Sequence, residues 1–514
     1  MTATALLALL LAALPSVDPA IEADVVLRNG SLHDGTGGPP QVGDVALRGD
    51  RIVAVGTFRT AGTPRVIDAT GLVVAPGFID LHSHSDYWFQ DKETRGNLSY
   101  LYQGVTTVIT GNCGAGPVEV AAYFRGLEKD GVGSNVGHLV PHNTVRERVM
   151  KNANRPPSPA ELARMAALVE QGMKDGARGL STGLIYTPGS YAQTDELIAL
   201  AKAAGKHGGL YVSHIRDEGA GVLAAVDEAL RIGKEAGVPV HLSHLKASGR
   251  RAWGKAADVV ALIERARQAG QVVTADQYPY TASSTSLAAT LIPPRYREGT
   301  AAAYRQRLHD PAVRRAITAA LADSSPAAIR IARYSKKPAW QGKDLATLAS
   351  EQGRPVEDVV LAVERNGGAQ IVHFSMREED VRLILRRPWV ATASDGVSQD
   401  PTSDTVPHPR SYGTFPRKVG RYAVEERVLP LEQAVRSCTG LPADVVRLAE
   451  RGYLRVGYVA DVVAFDPATF RDVATFDKPH QYARGVRHLF VNGQPAIADG
   501  KATDRLAGRP LRRR

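Results

Sequence analysis

The chain contains only two cysteines, Cys113 and Cys438, among its 514 residues, so no framework of disulfide bonds can organise the fold. Aromatic residues make up 6% of the chain, and no basic block is interleaved with them, which argues against nucleic-acid binding. The formal net charge of +10 includes an arginine run within residues 509–514, which we interpret as a solvated tail. A basic surface of this kind would attract anionic substrates only weakly.

The sequence also lacks an apolar segment long enough to span a bilayer as a stable helix, because its uninterrupted apolar run covers only residues 5–14. This run resembles the apolar region of a secretory signal peptide, which predicts removal of residues 1–20 and export to the periplasm or the medium. No lysine or arginine precedes the run and no clear cleavage site follows it. Without processing, the protein would stay in the cytoplasm. No cysteine lies near residue 20, which excludes a bacterial lipoprotein anchor.

The two ends of the chain have the same pattern of short alternating strands. Residues 23–75 form three such strands separated by Gly and Asp-Gly turns, and residues 458–466 and 488–495 resemble them. We therefore predict a small β-sandwich domain built from both ends, residues 21–75 together with residues 445–514. A chain of 514 residues is long enough for this domain and a larger central one.

The centre of the chain alternates between predicted strands and amphipathic helices. Eight strand candidates lie at residues 78–84, 106–112, 135–142, 177–183, 210–215, 239–246, 272–278 and 389–395. Eight alternations predict an α/β fold, a (β/α)8 TIM-like barrel over residues 76–444. The long gap between the seventh and eighth candidates predicts an inserted subdomain at about residues 290–370, near the barrel mouth.

Polar side chains stand at the ends of several predicted strands, where active sites of such barrels lie. The apolar run from Val73 to Leu81 is interpreted as one buried strand that leads to His82 and His84. Because side chains alternate along a strand, these two imidazoles should point the same way and could bind one metal ion. Four later strands end in further candidates, namely Cys113, His214, His244 and Asp395. Each alone would be commonplace, but their recurrence in order predicts a metal site.

The motifs around these residues resemble the amidohydrolase superfamily and, within it, the N-acyl-D-amino-acid deacylases. The matching segments are residues 76–86, 103–114, 213–218, 243–246, 278–285, 393–396 and 408–417. The resemblance extends from about residue 23 to the end of the chain. Its most discriminating part is Gly-Asn-Cys-Gly at residues 111–114, since many amidohydrolases bridge two metal ions with a carbamylated lysine and this family looks to use cysteine instead.

The resemblance implies a set of metal ligands. Cys113, His214 and His244 would hold one tightly bound zinc ion. His82 and His84 would bind a second, weaker metal or help to shape the site. Three protein ligands with one position left for water is the usual arrangement of a catalytic zinc site.

The resemblance also implies catalytic and substrate-binding residues. Asp395 would be the catalytic acid and base, accepting a proton from the attacking water and passing it to the departing amine. Lys246, Tyr278 and Arg410 would hold the carboxylate and acyl groups of the substrate. Tyr280 competes with Tyr278, because a shift of the loop would exchange the two. The reaction implied is hydrolysis of N-acyl-D-amino acids, small-molecule substrates, and the preference for D over L stereochemistry follows only from the resemblance.

Two other functions stay open from the sequence. A cyclic-amide hydrolase of the dihydroorotase or hydantoinase kind should carry a lysine at the end of the fourth strand, but residues 178–183 contain none. A non-catalytic scaffold with the same fold should have lost metal ligands, and here all the candidates are present. The missing lysine and the intact set of candidate ligands therefore favour the deacylase.

Several other residues near the predicted site are assigned lesser roles. His138 is predicted to be structural, whereas His142 could line the pocket. His241 has the opposite strand parity from His244 and is therefore expected to face the helices. Glu218 is expected either to orient His214 or to cap the following helix.

Overall fold

The computed structural model describes residues 20–513. The predicted signal peptide covers residues 1–20, so all but its last residue lies outside the described residues. Among residues 20–513, no helix combines the length and apolar character needed to cross a membrane.

The centre of the chain is a closed barrel of eight parallel strands, as the sequence predicts. In chain order these are Phe78–Asp80, Val105–Thr110, Asn135–His138 continued by Val140–Pro141, Gly179–Gly183, Leu210–His214, Val240–Leu242, Val273–Gln277 and Val390–Thr392. Each strand pairs with the next along the chain. The third strand is interrupted at Leu139, with one half paired to the second strand and the other to the fourth. Ser83 follows the first strand and Gly396 follows the eighth. A parallel bridge between these two residues closes the barrel.

Helices surround the barrel and bury their apolar faces against it. They are Leu98–Leu101, Val120–Asp130, His142–Met150, Pro159–Lys174, Thr194–Gly205, Val222–Ala236, Ala256–Gln268, Glu378–Leu385, Arg410–Pro416, Leu431–Cys438 and Gly440–Val445, with a π-helical turn at Arg417–Glu425. Pro159–Lys174 shows how the sequence defines one of them. Ser158 accepts the Glu161 backbone N–H, and the Glu161 carboxylate accepts the Ser158 N–H, which satisfies donors left free at the helix start.

The two chain ends pair into one sheet of nine strands. In spatial order these are Lys501–Ala502, Gln494–Ala498, Val486–Val491, Val462–Phe465, Val73–Pro76, Val25–Leu32, Gln41–Arg48 and Arg51–Gly56, with Arg65–Asp68 also paired to Val25–Leu32. The antiparallel pairing of Val462–Phe465 with Val73–Pro76 joins the two ends. Ile21–Glu22 and Thr60–Ala61 form a separate, two-stranded parallel sheet. The predicted fold class, a (β/α)8 barrel with a small β-sandwich domain built from both chain ends, is confirmed in its barrel and in a separate β domain, whose strands form this nine-stranded sheet.

The run from Val73 to Leu81 is not one strand, contrary to the prediction. Val73–Pro76 belongs to the nine-stranded sheet, and the first barrel strand begins after Gly77, at Phe78. Gly77 makes this transition possible because a Cβ there would lie 2.3 Å from the Thr106 side chain. His82 and His84 therefore follow the barrel strand on a loop, and alternation along a strand does not set their direction.

The long segment between the seventh and eighth barrel strands folds around a core of its own. Three antiparallel strands, Ala282–Ser286, Gln370–Phe374 and Ile329–Arg333, form its sheet, with Gln370–Phe374 in the middle. Its helices are Leu287–Leu291, Ala301–Arg307, Pro311–Leu321, Leu345–Gln352 and Val356–Arg365. These elements extend beyond both ends of the predicted range of 290–370. They place the sheet's first strand directly after the seventh barrel strand, at the mouth of the barrel.

Candidate metal and substrate site

The Cys113 thiol lies against three imidazoles at the carboxyl end of the barrel. Its Sγ is 3.2 Å from His82 Nε2, 3.5 Å from His214 Nδ1 and 3.5 Å from His244 Nε2. A thiol has one hydrogen and can donate it to only one of these nitrogens. Sulfur and nitrogen ligands of one tetrahedral zinc ion stand about 3.6 Å apart, by the usual Zn–S and Zn–N bond lengths. The spacing therefore fits donors arranged around a shared metal ion.

Burial keeps two of these imidazoles in the neutral form that binds metals. It lowers the pKa of His82 to about 4 and that of His214 well below its ordinary value. A thiolate with neutral imidazoles is a donor set that suits Zn²⁺. Two clusters have ligand atoms within 4.8 Å of one another, namely His82, Cys113, His244 and Asp395, and His214, Glu218 and His244. His84 stands outside both clusters.

Asp395 lies between the histidines and an arginine. Its Oδ1 is 3.0 Å from His84 Nε2 and 3.5 Å from His82 Nε2, and its Oδ2 is 2.7 Å from Arg410 Nη1. Burial alone would raise the pKa of Asp395, but Arg410 and the imidazoles of His244 and His82 hold this pKa well below its usual range. Asp395 is therefore an ionised carboxylate, able to accept a proton beside the candidate metal donors.

Backbone conformation aims these side chains. Cys113, His244 and Asp395 have φ angles of 51°, 34° and 50°, a left-handed region that residues other than glycine rarely adopt. Conformations of this kind persist only where the surroundings hold them, and they are frequent at functional sites.

The orientation predicted for His241 is wrong. Its side chain faces the site, with Nε2 2.8 Å from Asp276 Oδ2 and Nδ1 2.8 Å from Thr274 Oγ1. A regular strand continuing through His244 would turn His241 toward the helices. The strand ends at Leu242, and the left-handed backbone at His244 breaks the alternation.

Asp276 is a carboxylate of this site that the sequence interpretation missed. Its Oδ1 accepts the His244 backbone N–H at 2.6 Å, and its Oδ2 lies 2.8 Å from His241 Nε2 and 3.5 Å from His82 Nδ1. It belongs to the seventh barrel strand, Val273–Gln277, and is fully buried. Its place near the carboxyl end of a predicted strand was the available signal. Asp276 holds two of the candidate metal-binding residues in position.

Asp276→Asn is expected to weaken zinc binding by about 10- to 100-fold, the range found when a partner of a metal-binding histidine is removed. An amide NH₂ cannot accept the His241 Nε2 hydrogen, and it replaces the negative charge 3.5 Å from His82 Nδ1 with a neutral group, so both imidazoles are held less firmly. Zinc affinity would be measured by competition with a chelator. The matched control is Asp380→Asn. Asp380 is a buried carboxylate outside the site, and its Oδ2 accepts the Gly254 N–H at 2.8 Å. Equal zinc affinity in both variants would contradict the role of Asp276.

Glu218 contacts His244 more closely than the predicted partner, His214. Its Oε1 is 2.9 Å from His244 Nδ1 and 2.5 Å from Lys246 Nζ, whereas its Oε2 is 3.8 Å from His214 Nε2. The helix that follows starts after Gly221 without a side-chain cap, so the alternative of Glu218 as a cap is wrong. Glu218 thus links Lys246 to the histidine cluster.

Tyr278 stands between the two cations predicted to bind substrate. Lys246 Nζ lies 5.5 Å and Arg410 Cζ 4.9 Å from its ring centroid. Its buried hydroxyl has no hydrogen-bond partner among the described residues. Tyr280 instead packs against Arg417, whose Cζ is 4.5 Å from its ring. Of the two competing tyrosines, Tyr278 is therefore the one placed beside Lys246 and Arg410.

The site opens into a cavity of about 660 Å³. The barrel contributes His84, Cys113, Asp395 and Arg410 to its lining, and the insertion contributes Ser284, Thr285, Ser286, Arg333 and Gln370. Tyr87 and Trp88 also line it. A hydrogen bond of 2.8 Å between Tyr186 and Thr285 joins the barrel wall to the insertion wall.

Two other histidines do not contribute donors to this cavity. His138 Nε2 donates to the Pro117 carbonyl at 2.9 Å, which fits the structural role predicted for it. His142 does not line the cavity, because it is fully buried and lies 3.0 Å from Glu196 Oε1. Its neighbour Asn143 lines the cavity instead.

Comparisons with known proteins give consistent relationships. A sequence model of the amidohydrolase family matches residues 65–497. The D-aminoacylase of Alcaligenes xylosoxydans xylosoxydans is 38% identical over 515 residues, covering 95% of this chain and 98% of that protein. The N-acyl-D-glutamate deacylase of the same organism is 38% identical over 512 residues, covering 95% and 96%. A crystal structure of N-acyl-D-glutamate deacylase from Bordetella bronchiseptica, complexed with zinc and a phosphonate inhibitor, matches with a TM-score of 0.83 at 35% identity, covering 96% of this chain and 100% of that one.

Proposed function

Because this chain belongs to the amidohydrolase family and, within it, to the N-acyl-D-amino-acid deacylases, we propose that it hydrolyses the amide bond of N-acyl-D-amino acids in a zinc-dependent reaction. The products are a carboxylate and a free D-amino acid. The observation that carries the proposal is the Cys113 thiol in contact with three imidazole nitrogens, in a cluster that includes the Asp395 carboxylate.

Cys113, His214 and His244 would hold the tightly bound zinc ion. His82 and His84 would hold a second, weaker metal or shape the site. When bound, zinc polarises the substrate carbonyl and favours deprotonation of water. The contact of 3.2 Å between His82 Nε2 and Cys113 Sγ supports His82 as a further ligand at the same centre.

Asp395 would move the proton. Its ionised carboxylate accepts a proton as water adds to the carbonyl carbon, and it returns that proton to the amide nitrogen as the C–N bond breaks. Arg410 both pairs with Asp395 and lines the cavity, so its guanidinium can orient the substrate carboxylate near this proton acceptor. Tyr278 adds a buried hydroxyl that has no hydrogen-bond partner among the described residues, and Lys246, which pairs with Glu218, lies 5.5 Å from the Tyr278 ring.

The two alternatives are less well supported. The fourth barrel strand, Gly179–Gly183, carries Ser181 and no lysine, which disfavours a cyclic-amide hydrolase. A scaffold without activity is expected to have lost metal ligands, and here the donor cluster is complete. Both alternatives predict no release of amine from a linear N-acyl amino acid.

The direct test supplies purified protein with zinc and either N-acetyl-D-methionine or its L-isomer, and measures free amine. We expect release from the D-isomer alone, loss of activity with a chelator, and recovery on adding zinc. Amine from the L-isomer at the same rate would contradict the stereochemical part of the proposal. Hydrolysis of a hydantoin without hydrolysis of either linear isomer would favour the cyclic-amide alternative.

The charges of the cavity favour substrates with neutral side chains. Its lining has two arginines, of which Arg410 pairs with Asp395 and Arg333 is exposed on the insertion. The carboxylates of Asp86, Glu147 and Asp400 line it as well. A second substrate carboxylate would lose water and gain little in return, because the buried cations Arg410 and Lys246 already pair with Asp395 and Glu218.

We therefore expect N-acetyl-D-methionine to exceed N-acetyl-D-glutamate in kcat/KM by roughly 100-fold, the factor given by about 3 kcal/mol of desolvation. Parallel kinetics on the two compounds would measure the ratio. A preference for the glutamate derivative that disappears in Arg333→Gln would contradict this expectation while leaving amide hydrolysis intact.

Export is also part of the proposal, supported by the apolar run at residues 5–14. Expression of the full chain in a bacterial host, followed by fractionation and N-terminal mass analysis, tests it. A shortened protein in the periplasm or medium is expected. An intact N-terminus in the cytoplasm would overturn it.

A further inference from the structure

The loop that carries Cys113 has an unusual backbone. Gly111, Cys113 and Gly114 have φ angles of 76°, 51° and 71°, so the left-handed region is used at three of four consecutive residues. Of these three residues, Cys113 is the one that bears a side chain. A residue with a Cβ does not readily adopt a left-handed conformation by itself. Contacts from outside the loop must therefore hold it.

Asp86 holds the loop from the side of the first barrel strand. Its Oδ1 accepts the Gly111 backbone N–H at 2.7 Å, and the residue is only 3% exposed. Gly111 can occupy this position because a Cβ there would lie 2.2 Å from the Leu139 carbonyl oxygen. Asp86 belongs to neither of the metal-competent clusters found among residues 20–513, and besides the Gly111 N–H its Oδ1 lies 3.6 Å from His138 Nδ1.

Ser181 holds the loop from the opposite side, on the fourth barrel strand. Its hydroxyl donates to the Gly111 carbonyl and accepts the Gly114 N–H at 3.1 Å. One buried hydroxyl thus joins the residues before and after the loop's central pair. Gly183, two residues further along the strand, leaves space for the loop, because a Cβ there would lie 2.1 Å from the Cys113 carbonyl oxygen.

We propose that Asp86 and Ser181 are positioning residues that set the Cys113 backbone for metal binding. Together they fix the N–H and C=O of Gly111 and the N–H of Gly114, and so determine where the sulfur points. A ligand already held in its bound conformation loses less conformational freedom when the metal binds. Loss of either contact should weaken zinc binding although neither residue touches the metal. The proposal rests on the zinc-dependent function proposed above.

The test compares Ser181→Ala with Thr182→Val in the full chain. Thr182 is a buried hydroxyl on the same strand that contacts Tyr211 and Ser213 instead of the Cys113 loop. Zinc affinity is measured by competition with a chelator, and thermal unfolding of the metal-free protein monitors the fold. We expect a 10- to 100-fold weaker zinc affinity in Ser181→Ala and an affinity within about threefold of wild type in Thr182→Val.

Asp86→Ala and Asp86→Asn provide an independent pair. The alanine variant removes the acceptor for the Gly111 N–H, whereas the amide oxygen of asparagine can restore it. Zinc affinity should fall in Asp86→Ala and largely recover in Asp86→Asn. With cobalt in place of zinc, the thiolate-to-cobalt charge-transfer band should weaken or shift in Asp86→Ala and Ser181→Ala. It should stay unchanged in Asp86→Asn and Thr182→Val.

The outcomes separate this proposal from the function on which it rests. Wild-type affinity and an unchanged cobalt band in folded Ser181→Ala and Asp86→Ala would overturn the positioning role. If Asp86→Ala does not fold, Ser181→Ala against Thr182→Val decides the question. A wild-type protein that binds no zinc would instead overturn the proposed zinc-dependent function.

Discussion

Replacing Cys113 with alanine is expected to remove the tightly bound zinc and, with it, nearly all hydrolytic activity. The sulfur contacts His82, His214 and His244 together, so its loss leaves these imidazoles without a shared partner. Zinc content after dialysis against a weak chelator would measure the effect. Unchanged zinc in Cys113→Ala would refute the ligand role.

Cys438 supplies the matched control. It is buried as Cys113 is, but its Sγ lies 3.9 Å from the Ser437 hydroxyl, and no histidine among residues 20–513 forms a hydrogen bond with it. Cys438→Ala removes the same atom from another part of the core and should keep its zinc. Loss of zinc from both variants would indicate a general effect on folding.

Because the Cys113 thiol must lose its proton to bind zinc, we expect zinc affinity to depend on pH. Burial, and then the carboxylates of Asp395 and Glu218, raise the pKa of the Cys113 thiol well above its usual range in the metal-free protein. Zinc binds the thiolate, so binding must release this proton. Below the thiol pKa, zinc affinity should therefore rise by about tenfold per pH unit for one proton released. Calorimetry in buffers of different ionisation enthalpy would count the protons, and a count of zero would contradict the prediction.

Asp395→Asn is expected to lower kcat by about 10²- to 10⁴-fold, the contribution typical of a general acid and base. The amide keeps the size of the carboxylate but cannot accept the proton that the reaction must move. Zinc content and fold should be retained in this variant, and equally in Asp395→Ala. Steady-state kinetics on N-acetyl-D-methionine, with zinc measured on the same sample, would show both effects.

A control is needed because Asp395 also pairs with Arg410 at 2.7 Å. Asp472→Asn breaks a comparable pair, Arg417 with Asp472 at 2.8 Å, whose members do not line the cavity. That variant should keep kcat within about twofold. Full activity in Asp395→Asn would exclude its role in proton transfer, and an equal loss in Asp472→Asn would attribute the effect to structure.

Local patterns in the sequence predicted the fold class and most of the residues that meet in the site. Eight alternations of strand and helix indicate a barrel, and the carboxyl ends of parallel strands converge on one face. Cys113, His214, His244 and Asp395 could therefore be selected together without knowledge of their distances. Their separation in the chain, from residue 113 to residue 395, does not matter once each follows a barrel strand.

Other features depended on contacts that only the tertiary structure creates. Alternation predicts side-chain direction only while a strand continues, and the left-handed backbones at Cys113, His244 and Asp395 end it. That is why the direction of His241 could not be deduced from that of His244, which lies beyond the end of the strand. The hydrogen bonds from Asp86 and Ser181 to the Cys113 loop likewise connect residues that belong to the first, second and fourth barrel strands or to the loops that follow them.

The sequence by itself determined the architecture and the chemical types available for the site, because periodicity and strand order are local properties. The tertiary structure decided which donor meets which partner. Directions of side chains after a strand's end depend on φ angles and long-range hydrogen bonds, and these arise only when the barrel closes.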